Sequence, residues 1–297
     1  MGARLNRAPL VVHAVLLGAR QIPGRRARAA AIRNVALPLT RRFTTPLVVP
    51  VAGGSHMLVR TEDYVGRMLA LTGVWEPQVT AAFRALLARG DVCVDVGANI
   101  GYFTLLASRL VGPGGRVYAL EPSPASYDRL WANLELNHAD NVNALPVAAS
   151  NTAEPTAVLY EGPPSNPGGA SLQESRVGDA VSHVETARLD SLVDDADIAR
   201  LRLVKIDVEG AELDVLAGMT GLFERGALPA VVLEVSPEWS GEDMPRAVLD
   251  FAAHHDLVAY ELPRVPPFEW HERTAFAPRA VGRVDDQQDW LLVPATT

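Results

Sequence analysis

Residues 92–101 read Val92-Cys93-Val94-Asp95-Val96-Gly97-Ala98-Asn99-Ile100-Gly101, and their pattern decides the fold. The near-continuous apolar run Val92 to Val96 has the character of a strand buried on both faces of a parallel sheet. It runs into a turn with two glycines and then into a helix expected from Ile100 to Leu110. Gly97 lets the backbone turn sharply and approach a ligand. Gly101 lets the next helix pack closely on the sheet, and that helix start offers free N–H groups with a partial positive charge.

Outward from this turn the chain alternates. Gly112-Pro113-Gly114-Gly115 closes the helix, and further strands are expected at Arg116–Leu120, Val142–Ala148, Leu201–Ile206 and Ala230–Val235. Helices are expected at Ser126–Asn137 and from Glu212, and an amphipathic one at Glu76–Arg89 with Pro77 in its first turn. Such alternation implies right-handed crossovers and a parallel sheet. Leu257–Leu262 and Trp290–Val293 form a last pair without an intervening helix, which fits an antiparallel edge. Residues 160–180 are rich in Gly, Pro, Ser and Asn and read as a lid-like loop.

Charge is unevenly placed. Residues 1–61 hold ten arginines and no acidic residue, which leaves 17 basic against 35 acidic residues in the rest. An acidic body does not attract nucleic acid, so none is expected as a partner. Only the basic arm could touch RNA or an anionic membrane, and a solvated helix face packed on the acidic body explains it more simply. Residues 1–55 are therefore set apart as a basic N-terminal extension with short helices such as Arg25 to Leu37, and 56–297 as the main domain. Leu10–Ala19 resembles a signal peptide, but it spans ten residues, contains His13 and runs into arginines instead of a cleavage site. With Cys93 as the single cysteine, no disulfide can form within the chain, and the expected location is the cytoplasm.

Ligands of open α/β sheets bind beyond the carboxyl ends of the strands. There Asn99 stands where a nicotinamide site needs a glycine for the pyrophosphate, and it would crowd that group. Glu121 lies twenty residues after Gly101, at the spacing of a carboxylate that accepts hydrogen bonds from ribose hydroxyls. Asp207, Glu209 and Glu234 end the fourth and fifth strands and could converge on a substrate. Lys205, the only lysine, could pair with them.

The segments VDVGANIGYFT (94–104), GRVYALEPSP (115–124) with NLELN (133–137), and LVKIDVEGAELDVLAGM (203–219) resemble the FkbM-like methyltransferase family, as do Gly73–Pro77 and Arg188–Leu192. The resemblance covers roughly residues 60 to 262. It implies a class I Rossmann-like methyltransferase, an α/β fold with a mostly parallel seven-stranded sheet in the order 3-2-1-4-5-7-6. It also implies S-adenosylmethionine as cofactor, S-adenosylhomocysteine as product, and a hydroxyl acceptor on a natural product or sugar. Asp95, Gly97, Asn99 and Gly101 would hold the methionine part, Glu121 the ribose, and Asp207 and Glu209 match the motif near the methyl group.

The expected reaction is in-line displacement, with Asp207 or Glu209 as base and His138 or His183 in reserve. Asp207 and Glu234 offer hard oxygen ligands, but without a third spaced partner no metal is expected. The rival readings are a nicotinamide-dependent oxidoreductase and a non-catalytic scaffold that binds the cofactor or a membrane.

Overall fold

A computed structural model describes residues 8–42, 46–152, 154–162, 169–172, 181–237, 241–271, 273–282, 284 and 286–295. The chain forms a hairpin of β1 (Leu47–Pro50) and β2 (His56–Val59), then β3 (Val92–Val96), β4 (Arg116–Leu120), β5 (Val142–Leu145), β6 (Val147–Ala149), β7 (Thr156–Tyr160) and β8 (Val181–Ala187). It continues through β9 (Leu201–Ile206), β10 (Ala230–Val235), β11 (Leu257–Leu262), β12 (Arg279–Ala280) and β13 (Gln288–Pro294). The main sheet has eight strands in the order β12-β11-β13-β10-β9-β3-β4-β5. It is parallel from β10 to β5, and β13 is antiparallel to both β10 and β11. The two-residue β12 at the edge takes the count one beyond the seven expected.

One strand is split. The run Val142 to Ala148 breaks at Pro146, which has no N–H to give a ladder. β6 leaves the main sheet and pairs with β8 in a three-stranded sheet ordered β6-β8-β7, which the sequence pattern did not announce.

Alternate residues of the central strands feed two cores. Cys93, Val117, Ala119 and Leu203 pack on one face with Phe83, Leu105 and Leu130 from three helices, Pro77–Leu86, Tyr102–Val111 and Pro124–Asn137. Val94, Tyr118, Val204 and Val231 pack on the other with Val215 and Val248, from the helices Glu212–Gly218 and Met244–His254. Both faces of β3 are thus covered, which is why it reads as a near-continuous apolar run broken only by Asp95.

The arginine-rich arm joins the first core. A helix at Ala8–Gln21 and a continuous helical stretch at 25–42, with a π turn at Ile32–Ala36, bury Val12, Leu16, Ala19, Ile32 and Ala36 against it. The β1–β2 hairpin crosses the expected 55/56 division. Among the described residues, no helix is long and apolar enough to cross a membrane.

Arg20 ties the arm down. Its guanidinium donates to the carbonyls of Pro50 at 2.8 Å and Ala70 at 2.7 Å, and to that of Leu69. Burial lowers its pKa to about 10. Arg20→Ala would strip three carbonyls of a charged donor, and urea unfolding should show a loss of about 2–4 kcal/mol. A loss within about 0.5 kcal/mol, the ordinary surface value, would mean that the arm does not depend on this anchor.

Candidate active site

Strand register builds the site. Val96 pairs with Leu120 on one side and Ile206 on the other, and Ile206 pairs with Leu233. The next residues in each chain, Gly97, Glu121, Asp207 and Glu234, therefore stand in one row at the carboxyl edge of the sheet. β13 extends the row, because Glu234 pairs with Asp289. A cavity of about 800 Å³ opens over this row, within the size range of small-molecule sites.

The glycine turn forms one end. Gly97 has a φ of +76°, and a Cβ there would lie 1.8 Å from the Asp207 carbonyl oxygen, so only glycine lets β3 and β9 end this close together. Gly101 supports the turn from behind, where a Cβ would meet Leu130 at 2.6 Å. Asn99 is left-handed at φ 50° and lines the cavity. Its N–H donates to Glu121 Oε2 at 2.7 Å, and the Ser123 N–H donates to Oε1 at 2.9 Å. Both carboxylate oxygens are thus fixed at the wall, while burial pushes the Glu121 carboxyl up to about 7.

Asp95 lies deeper than the turn. It is fully buried, its Oδ2 accepts from Thr104 Oγ1 at 2.6 Å, and Asp95 and Gly101 are absent from the cavity wall. Lys205 reaches Asp95 at 3.6 Å and Asp207 at 3.2 Å, with the Phe103 ring centroid 5.1 Å away. Burial would lower the Lys205 pKa, but Asp207, Asp95 and Glu76 raise it above the ordinary lysine value. Its ammonium thus stands between two carboxylates that favour its charged form. Asp207 (side chain 30 % exposed) and Glu209, left-handed at φ 54°, face the cavity.

A second charge cluster closes the far end. Arg264 contacts Asp289 at 3.0 and 3.1 Å and Glu234 at 3.0 Å, and Gln78 donates to Asp289 at 2.8 Å. Burial, then Asp207, push the Glu234 carboxyl up to about 8. Glu76 lines the same wall, and burial, then Asp289 and Asp207, hold its carboxyl well above the usual range. Tyr64, Trp75 and Trp270 form an edge-to-face aromatic series beside it, with centroids 5.7 and 5.1 Å apart.

The row thus brings together Gly97, Asn99, Glu121, Asp207, Glu209 and Glu234. His138 caps a helix and His183 is exposed on β8, and neither lines the cavity. Of the loop 160–180, residues 163–168 and 173–180 lie outside the described residues, while Gly169, Ala170 and Leu172 line the wall. Glu76, Arg264 and Asp289 were not anticipated. The only signal was the Gly73–Pro77 motif, in which Glu76 reads as an ordinary helix start.

The raised carboxyls fix a pH response. Folded Glu121, Glu234 and Glu76 keep protons that the unfolded chain has already lost, so raising the pH favours unfolding. Thermal unfolding of the ligand-free protein should shift to lower temperature between about pH 5 and 8. A midpoint that rises over this window would contradict the assignment.

A family model described as "Methyltransferase FkbM domain" matches residues 95–260. The methyltransferase sdnD of Sordaria araneosa is 35% identical over 165 residues, 46% of this chain and 62% of that protein. The hexuronic acid methyltransferase AglP of Haloferax volcanii is 27% identical over 218 residues, 70% of this chain and 82% of that protein. The 31-O-demethyl-FK506 methyltransferase FkbM of Streptomyces tacrolimicus is 34% identical over 161 residues, 45% and 61% of the two chains. This chain therefore spans just under two thirds of the first and third relatives. The cavity wall carries Glu76, Glu121, Asp207, Glu209 and Glu234 against Lys205 and Arg264. That excess of acids suits a ligand with a positive charge, as a sulfonium has. With more than half of its length matched, the chain belongs to the FkbM family of methyltransferases.

Proposed function

We propose that this protein methylates a hydroxyl group of a small natural product or sugar by in-line displacement. The observation that carries the reading is Glu121, whose two oxygens are held by the N–H groups of Asn99 and Ser123 in a row that also holds Asp207. Two relatives point the same way, one named for a hexuronic acid and one for an O-demethyl position of FK506.

When bound, the cofactor supplies a methyl group on a positively charged sulfur. The chain's own residues then align it and the acceptor, which is the main source of rate in such a transfer. Glu121 accepts hydrogen bonds from the ribose hydroxyls. The backbone of the turn at Gly97 and Asn99 receives the methionine part, with Asp95 and Gly101 holding the turn in shape from behind. Asp207 and Glu209 meet the acceptor hydroxyl and orient its lone pair, and Lys205 fixes Asp207 in place. The aromatic series Tyr64, Trp75 and Trp270 offers apolar surface for the rest of the acceptor.

Asp207→Asn should lower kcat at least tenfold on any hydroxylated acceptor found by screening methyl transfer across a library, with S-adenosylmethionine affinity changed much less. Full turnover by this variant would remove Asp207 from the reaction, and the absence of transfer to every hydroxylated compound would count against the acceptor class.

A further inference from the structure

Hydroxyl methylation releases a proton, and the geometry singles out its destination. Five carboxyls, Glu76, Asp95, Asp207, Glu234 and Asp289, surround two cations, Lys205 and Arg264. Four of them have an ion pair: Asp95 and Asp207 lie within 3.6 Å of Lys205, and Glu234 and Asp289 lie 3.0 Å from Arg264. Among the described residues Glu76 has no ion pair, although it feels the field of both cations. Its backbone is left-handed at φ 39° directly before Pro77, an uncommon conformation that sets the side chain at the cavity wall.

Among the described residues, the neighbours that bear charge on Glu76 come from several elements. Lys205 comes from β9 and Asp207 from just after it, Glu234 from β10, Asp289 from β13, and Arg264 from the segment after β11, with Tyr64 on the helix Tyr64–Thr72. Carboxyls outnumber cations, so protons rest in this cluster, on Glu234 as well as on Glu76, and Glu76 is the one whose carboxylate has no ion pair among the described residues. A positive charge entering the same cavity reverses that balance.

Resting on the functional reading above, we propose that Glu76 is the residue that takes the acceptor's proton, and that the positive charge of the incoming cofactor frees it to do so. On cofactor binding Glu76 loses its proton to solvent and becomes a carboxylate. In the transfer, the acceptor oxygen forms a bond to the methyl carbon as the carbon–sulfur bond breaks, and the hydroxyl proton passes to Glu76. The sulfur loses its positive charge in the step in which Glu76 loses its negative one. The cavity therefore has the same net charge before and after. Asp207 orients the hydroxyl, because its Oδ2 is held in place 3.2 Å from the Lys205 ammonium.

The test is calorimetric titration of the full chain near neutral pH, in two buffers of different ionisation enthalpy, which counts protons exchanged. Binding of S-adenosylmethionine should release up to about one proton, and binding of S-adenosylhomocysteine, which lacks the sulfonium charge, should release far less. Glu76→Gln should bind S-adenosylmethionine without that release, with kcat reduced about a hundredfold or more. Glu234→Gln, whose carboxyl belongs to the same cluster, should keep the release. This second variant decides the matter if Glu76→Gln does not fold. Equal release with both ligands, release that persists in Glu76→Gln, or release lost in Glu234→Gln would each overturn the proposal. Binding without proton release overturns this inference alone, whereas no binding at all overturns the functional reading beneath it.

Discussion

Four neighbouring strands, β4, β3, β9 and β10, carry or lead into the residues that face the cavity at matched positions in their registers. The apolar faces of β3 enforce that register, because a slip of one residue would exchange the residues packed into the two cores. Gly97 sets the closest point, since the chain of β9 passes where any other residue would place its Cβ. The outcome is a line of acidic side chains closer together than carboxylates would choose. Lys205 and Arg264 offset part of the repulsion, and raised proton affinity at Glu76, Glu121 and Glu234 reflects burial first and the remaining repulsion second.

The same crowding would favour a cation in the site. An enclosed, acid-rich wall favours a ligand that brings positive charge, and a ligand that loses its charge during reaction is held less firmly afterwards. Cofactor capture and product release would then depend on one electrostatic feature instead of two separate devices. The aromatic series at Tyr64, Trp75 and Trp270 adds an apolar border to this polar row, so charge and hydrophobic surface are segregated within one cavity.

Much of this was legible in the sequence where local pattern and tertiary role coincide. β3 reads as a doubly buried strand because it is one, and Glu121 was found by its spacing from the glycine turn. Asp207 and Glu209 were found because they follow a strand immediately. Other features depend on distant chain segments. Glu76 and Asp289 are separated by more than two hundred residues and meet only when β13 inserts between β10 and β11. Pro146 was visible, yet an apolar run on both sides masked the change of sheet. Leu10–Ala19 was ambiguous because a short apolar stretch after arginines suits a leader as well as a packed helix, and tertiary contact alone places it in the core.

The proposed contact of Glu121 with the cofactor is tested most directly by equilibrium binding of S-adenosylmethionine to the wild type and to Glu121→Ala. Loss of its hydrogen bonds to the ribose should weaken binding roughly a hundredfold while the melting profile stays cooperative. A Glu121→Ala protein that binds S-adenosylmethionine as tightly as the wild type would contradict the placement of the cofactor over this row.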